Sequence, residues 1–159
     1  AIKSAFEDLE DDTGRAYGQR TYDMVLDGFS TEIVLPMPPL ISVTSVNYVD
    51  TSDVTQTVSS SDYSVHGVNA TGLNNRGEYG GYIRVGDNGW PSDLKELPES
   101  VIIRFVAGYA APNIIPWLAK QATRIRTAKY YSFKGDSYSS EIERDYQNTI
   151  SSLIVYSFV

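Results

Sequence analysis

The sequence predicts an α+β fold: a small helical bundle with an inserted antiparallel β-meander subdomain and an extended C-terminal tail. Three observations predict it. Apolar and polar residues alternate with period two through the middle of the chain, from about residue 20 to about residue 107. Apolar residues at three- and four-residue spacing are confined to the stretches on either side. The β-segments therefore interrupt the helices as one block, which favours segregated helix and sheet over the repeated βα units of an α/β fold. Residues 1–150 read as one domain with the β-rich part inserted, and residues 151–159 as a tail or arm.

Taken in order, the stretch from Ala1 to Tyr17 places Ile2, Ala5, Phe6 and Leu9 on one helical face, with acids at Glu7, Asp8, Glu10, Asp11 and Asp12 and an end near Gly14. The acidic face, Glu7, Asp8 and Asp11 in particular, reads either as a solvated surface or as a docking face for something basic. Arg20 to Asp27 alternates cleanly and is a strand, with Tyr22, Met24 and Leu26 on one side. Glu32 to Leu35 continues the sheet. Pro36, Pro38 and Pro39 then forbid ordinary ladder pairing, so that segment is an edge or a crossing link between layers. Val43 to Asp50 and Val54 to Val58 form a hairpin about the turn residues Asp50 to Asp53, and Tyr63 to His66 and Tyr82 to Val85 are two short strands. Between these last two, Gly67 to Gly81 is glycine- and asparagine-rich and reads as an exposed loop. Gly86 to Pro91 is a turn cluster with Trp90 packed back onto the sheet.

The organising stretch is Val101 to Phe133. Val101, Ile103 and Phe105 alternate with Ile102, Arg104 and Val106, and Gly108 supplies the residue that leaves the sheet at positive φ. Pro116 suits a first helical turn, where its missing N–H has no intrahelical partner to lose. From there Ile115, Leu118, Ala122, Ile125 and Ala128 form an apolar stripe, with Lys120, Arg124 and Lys129 off it. Five bases and no acid lie between Trp117 and Lys134, so this helix is the natural partner of the acidic first helix, within one subunit or across two. After a polar break at Gly135 to Ser140, Glu141 to Ile150 is a shorter helix. Ser151 to Val159 then ends the stretch with β-forming residues. That tail, with Leu153, Ile154, Val155, Tyr156 and Phe158, is either a strap on the subunit's own core or an arm adding a strand to another chain.

Composition narrows the chemistry. A chain of 159 residues buries roughly 70% of its unfolded surface and supports a core without staples. The absence of cysteine excludes disulfides and thiolate chemistry, and His66 is the sole histidine. No P-loop, dinucleotide fingerprint, zinc-protease helix or nucleophile elbow occurs. Asp50 to Asp53 lacks the later glycine and glutamate of a calcium loop and reads as a turn. No catalytic residues, metal ligands or cofactors are therefore assigned. Twenty acids against 13 bases give a net charge of −7, which argues against general phosphate binding. No apolar run approaches the roughly 20 residues of a membrane span, and the first residues lack a signal-peptide pattern, so the chain reads as soluble with no membrane partner. Twelve tyrosines include Tyr130 and Tyr131, which divide evenly between core and interface readings.

Several blocks carry a resemblance. They are Thr13-Gly14-Arg15, Leu35 to Leu40 leading into Ser42 to Asp50, Ser61-Asp62-Tyr63, and Val101 to Tyr109 followed by Pro116, Lys120-Gln121-Ala122 and Tyr130-Tyr131. In order and spacing these resemble the head-tail connector, or adaptor, proteins of long-tailed phages, a group often labelled as possible DNA-packaging proteins. The resemblance implies a non-enzymatic virion protein of the head-tail neck, in the host cytoplasm before assembly. It implies a homo-oligomeric ring, dodecameric by analogy, between the portal protein and a tail-side neck or tail-terminator protein. DNA passes through its centre with little specific contact. On that reading Lys120, Arg124, Lys129, Tyr130, Tyr131 and the tail residues form the subunit or portal interface. The rival reading is a soluble carbohydrate- or protein-binding β-module presenting Trp90 and tyrosines on its loops, and a small hydrolase using the acidic clusters is a distant third.

Overall fold

The computed structural model of the chain describes residues 2–69, 80–132 and 140–154. The chain divides into two compact units, Ala1–Tyr17 with Ala111–Val159, and Gly18–Ala110. The class is α+β. Among the described residues, three α-helices belong to the first unit and two antiparallel sheets to the second. Most of the glycine-rich Gly67 to Gly81 stretch, the Gly135 to Ser140 break except its last residue, and the tail residues Val155, Tyr156 and Phe158 lie outside the described residues.

In the β unit, β1 (Arg20–Leu26), β3 (Leu40–Val49), β4 (Thr55–Thr57) and β7 (Val101–Ala107) form one sheet in the order β1-β7-β3-β4. A three-stranded sheet has the order β2-β6-β5, from β2 (Glu32–Val34), β5 (Tyr63–His66) and β6 (Tyr82–Val85). Every ladder is antiparallel, but the order is not the sequential one of a meander. The last strand, β7, sits between β1 and β3 because it is the most regular apolar alternation in the chain: Val101, Ile103, Phe105 and Ala107 are buried. A strand flanked on both edges gains two ladders and the deepest position.

The triple-proline segment is the link the sequence predicts, since it carries the chain from β2 in one sheet to β3 in the other. Strand β3 begins at Leu40, three residues earlier than the alternation indicates, with register shifts at Leu40/Ser42 and Val43/Ser45. Each shift inserts an unpaired residue and breaks period two, which hides the start of the strand from a pattern reading. Asp50 closes the hairpin turn. Its Oδ1 accepts from the N–H groups of Ser52 (2.8 Å) and Val54 (3.0 Å) and its Oδ2 from Gln56 (2.8 Å). The Gln56 hydrogen bond and then that from Val54 hold this carboxyl below its ordinary range. Trp90 packs back as expected, stacked on Phe29 at 4.5 Å, with its indole N–H donating to the Ser30 carbonyl at 2.8 Å.

The helical unit consists of α1 (Ile2–Thr13), a 3-10 turn at Pro112–Ile114, α2 (Trp117–Ser132) and α3 (Ser140–Ile150). Helix α1 stops where Gly14 takes φ 65° and donates to the Glu10 carbonyl at 2.9 Å, the left-handed close that glycine adopts at least cost. Pro116 stands one residue ahead of α2 and its carbonyl accepts the Lys120 N–H at 3.3 Å. The core holds Ala5 and Leu9 of α1, Ala119 and Ala122 of α2, Tyr146 and Ile150 of α3, and Leu153 beyond it.

Gly108 is the exit from β7, at φ 112°, and a Cβ placed there would run into the Gly18 backbone. Gly108→Ala should therefore lose about 2 kcal/mol of stability, read as a lower urea midpoint at unchanged m-value.

Candidate assembly interface

Helix α2 has two unlike long faces, and its sequence explains both. Inward, Ala119 and Ala122 are small enough for the neighbouring helices to approach closely, and both are buried. Four residues on from Ala122 the same face carries Arg126, and there the close approach brings a guanidinium against carboxylates of both other helices. The Arg126 side chain is 13% exposed, with Nε 3.0 Å from Asp8 Oδ2, Nη2 3.4 Å from Asp12 Oδ2 and Nη1 2.7 Å from Glu143 Oε2. Its guanidinium carbon also lies 4.2 Å from the centre of the Tyr146 ring, over its face.

The rest of the network satisfies what Arg126 leaves open. Tyr146 donates its hydroxyl to Asp12 at 2.8 Å, Tyr130 donates to Asp8 at 2.6 Å, and Lys129 donates to Glu143 at 2.9 Å. The Lys129 hydrogen bond holds the Glu143 carboxyl down at about 2, against burial, which acts the other way. Burial and then the bond to Asp12 push the Tyr146 phenol well above its ordinary range. Burial alone would lower Arg126, but the Glu143 charge and then Asp8 outweigh it, and the guanidinium is raised. Arg15, which is buried, ties the end of α1 to the turn after α3 by donating from Nε to the Leu153 carbonyl at 2.6 Å.

These contacts place the predicted residues. The acidic and basic helices do pair within the chain, but through Asp8, Asp12 and Arg126. Lys129 points inward, contrary to its assignment to the outer basic face, because it shares a helical side with Ala122 and Arg126. Ala128, expected in the apolar stripe, is exposed. Tyr130 bonds Asp8 at the edge of the network. Leu153 is buried within its own chain and Ile154 is half-buried, while the remaining tail residues lie outside the described residues. Glu7 and Asp11 stay exposed on α1.

Outward, α2 presents Lys120, Arg124 and Tyr131, together with Trp117, which sequence reasoning passes over as a helix-start residue. Trp117 and Tyr131 are 70% and 64% exposed, and Ile2 of α1 is 64% exposed. A groove of about 380 Å³ between α1 and α2 is lined by Ile2, Thr123, Arg124, Thr127, Ala128 and Tyr131. Exposed aromatic and arginine side chains on one helix face are the composition of protein interfaces. His66 is a packing residue, stacked on Tyr82 at 4.8 Å and hydrogen-bonded to Ser64 at 2.8 Å. Among the described residues no three histidine or acidic side chains converge to hold a metal ion, and no helix is long and apolar enough to cross a membrane.

The architecture has counterparts among solved structures. A chain in the neck of a native gene transfer agent particle, computed with C12 symmetry, superposes with TM-score 0.78 at 20% identity, over 99% of this chain and 81% of that one. The neck of the empty particle, computed with C6 symmetry, contains a chain matching at TM-score 0.77 and 20% identity over 99% and 76%. In the virion of the native particle the corresponding values are 0.71, 20%, 99% and 76%. What these chains share with this one is the fold. No protein-family model and no curated protein sequence matches it.

Arg126→Ala leaves three carboxylates facing one another in a partly closed site and should cost about 3 kcal/mol. Arg124→Ala, on the outer face, should change stability by less than about 0.5 kcal/mol. Urea unfolding of the two variants compares them directly. Because the folded Glu143 carboxyl titrates at about 2, below its ordinary 4.5, its contribution is complete above pH about 4.5 and is lost as pH falls towards 2. Glu143→Gln should accordingly flatten the acid limb of the stability profile and leave its alkaline limb unchanged.

Proposed function

We propose that this chain is a structural protein of a phage-like particle's neck, forming a homo-oligomeric adaptor ring between the portal and the tail-side neck proteins, with DNA passing through its centre. The observation that carries the reading is the superposition over 99% of the chain, at TM-score 0.78, on a chain of a particle neck computed with C12 symmetry. A dodecameric ring is the reading that matches this symmetry. The exposed Trp117, Arg124 and Tyr131 support it further, since an isolated subunit gains nothing by presenting them to water. A net charge of −7 suits a channel through which DNA slides without being held. The role is non-enzymatic, and no cofactor belongs to it.

Against the rival β-module stands Trp90, whose ring is stacked on Phe29 and whose N–H is bonded to Ser30, leaving little of it to stack on a sugar.

The test is reconstitution. Purified protein added to DNA-filled, portal-bearing heads that lack it should appear by electron microscopy as a ring of density below the portal and should restore tail joining. Heads that join tails equally well without it, or protein found elsewhere on the particle, would overturn the reading.

A further inference from the structure

We infer that the outer stripe of α2 seats the outer face of α1 from a second copy of this chain, so that each subunit meets its two neighbours through unlike, oppositely charged helix faces. This rests on the ring reading above and names the contact that builds the ring. The two stripes have matching periods. Trp117, Lys120, Arg124, Thr127 and Tyr131 recur at alternating intervals of three and four, the spacing that runs straight along a pair of packed helices. Ser4, Glu7 and Asp11 recur the same way on α1, and all three are exposed. Glu7 and Asp11 lie one turn apart, as do Lys120 and Arg124, a rise of about 6 Å in each case.

Neither charged stripe is used up inside the subunit. Helix α1 meets α2 through Asp8 and Asp12 on one flank and lines the groove with Ile2 on the other. Glu7 and Asp11 project away from both flanks, at about 100° per residue around the helix. Lys120 and Arg124 make no ion pair among the described residues. The one ion pair of Glu7 among them is a 3.7 Å contact with exposed Lys3 on its own helix. Trp117 and Tyr131 flank the two cations, so the seat offers aromatic anchors at its ends and positive charge in its middle. Because the two faces are different patches of one molecule, the contact is heterologous, and repeated copies close into a ring where the rotation permits.

The chain has no cysteine, so introduced thiols report this contact alone. The double variant Asp11→Cys with Arg124→Cys, mildly oxidised under conditions where the wild type oligomerises, should give a non-reducing gel ladder ending at the closed ring. Reversing the seat, Lys120→Glu with Arg124→Glu, should weaken self-association about tenfold at low salt. Adding Glu7→Lys and Asp11→Lys to the same chain should restore it. Wild-type oligomers by native mass spectrometry without the cysteine ladder and without charge-swap recovery would overturn this contact while leaving the ring standing. A wild type that stays monomeric at every concentration and forms no ring on portal-bearing heads would overturn both. Cross-linking of the Arg124→Cys variant to the portal alone would overturn the contact in favour of a different partner for the seat.

Discussion

One guanidinium in the helical unit faces three carboxylates, and the way the three helices pack follows from where its fork points. Arg126 reaches Asp8 and Asp12 on α1 with one side and Glu143 on α3 with the other, while Tyr146 lies beneath it. A planar five-donor group satisfies all of these only in one orientation, so the network fixes the rotation and axial offset of each helix. An apolar contact of the same size would tolerate sliding by a turn. Burying charge has a desolvation cost, and the compensation here is completeness: both tyrosine hydroxyls and Lys129 occupy remaining acceptor positions on the same carboxylates.

That inward concentration of charge is what frees the outer face of α2. With Arg126 and Lys129 turned in, Lys120 and Arg124 remain as the outward cations, framed by Trp117 and Tyr131. One helix thereby holds its own unit together and keeps a face of cations and aromatic rings open to solvent. The helix supplies both because Ala119 and Ala122 let its inner side sit close to its neighbours, and the long side chains on that side reach past them.

The β unit reaches its arrangement by a different constraint. Its strand β7 comes last in the chain yet lies between β1 and β3, so the pairing that closes this sheet is long-range on both sides. The cross-strand pair Asp23 and Arg104 marks the register of the β1 and β7 ladder, opposite one another and joined by two hydrogen bonds of 2.7 Å. The hydrogen bond from Arg104 keeps the Asp23 carboxyl below its ordinary range.

Local periodicity makes much of this legible in the sequence. The alternation in Val101 to Val106, the Asp50 turn, the return of Trp90 and the helix start after Pro116 are set by residues close together in the chain, and they stand where the sequence puts them. The strand order is not legible, because pairing between β7 and β1 spans some eighty positions and nothing local prefers that partner over the next strand along. The site divides in the same way. Charge counting pairs the acidic and basic helices, but it assigns Lys129 to the surface and gives Arg126 no special place, because hydropathy treats every cation on a helix as exposed. Sequence alone determined the elements, the charge asymmetry of the helices and the absence of thiol chemistry. Tertiary structure decided which cations are inward, since that depends on where carboxylates on two other helices come to rest, Asp8 and Asp12 more than a hundred positions from Arg126, and Glu143 on the helix that follows Arg126 and Lys129.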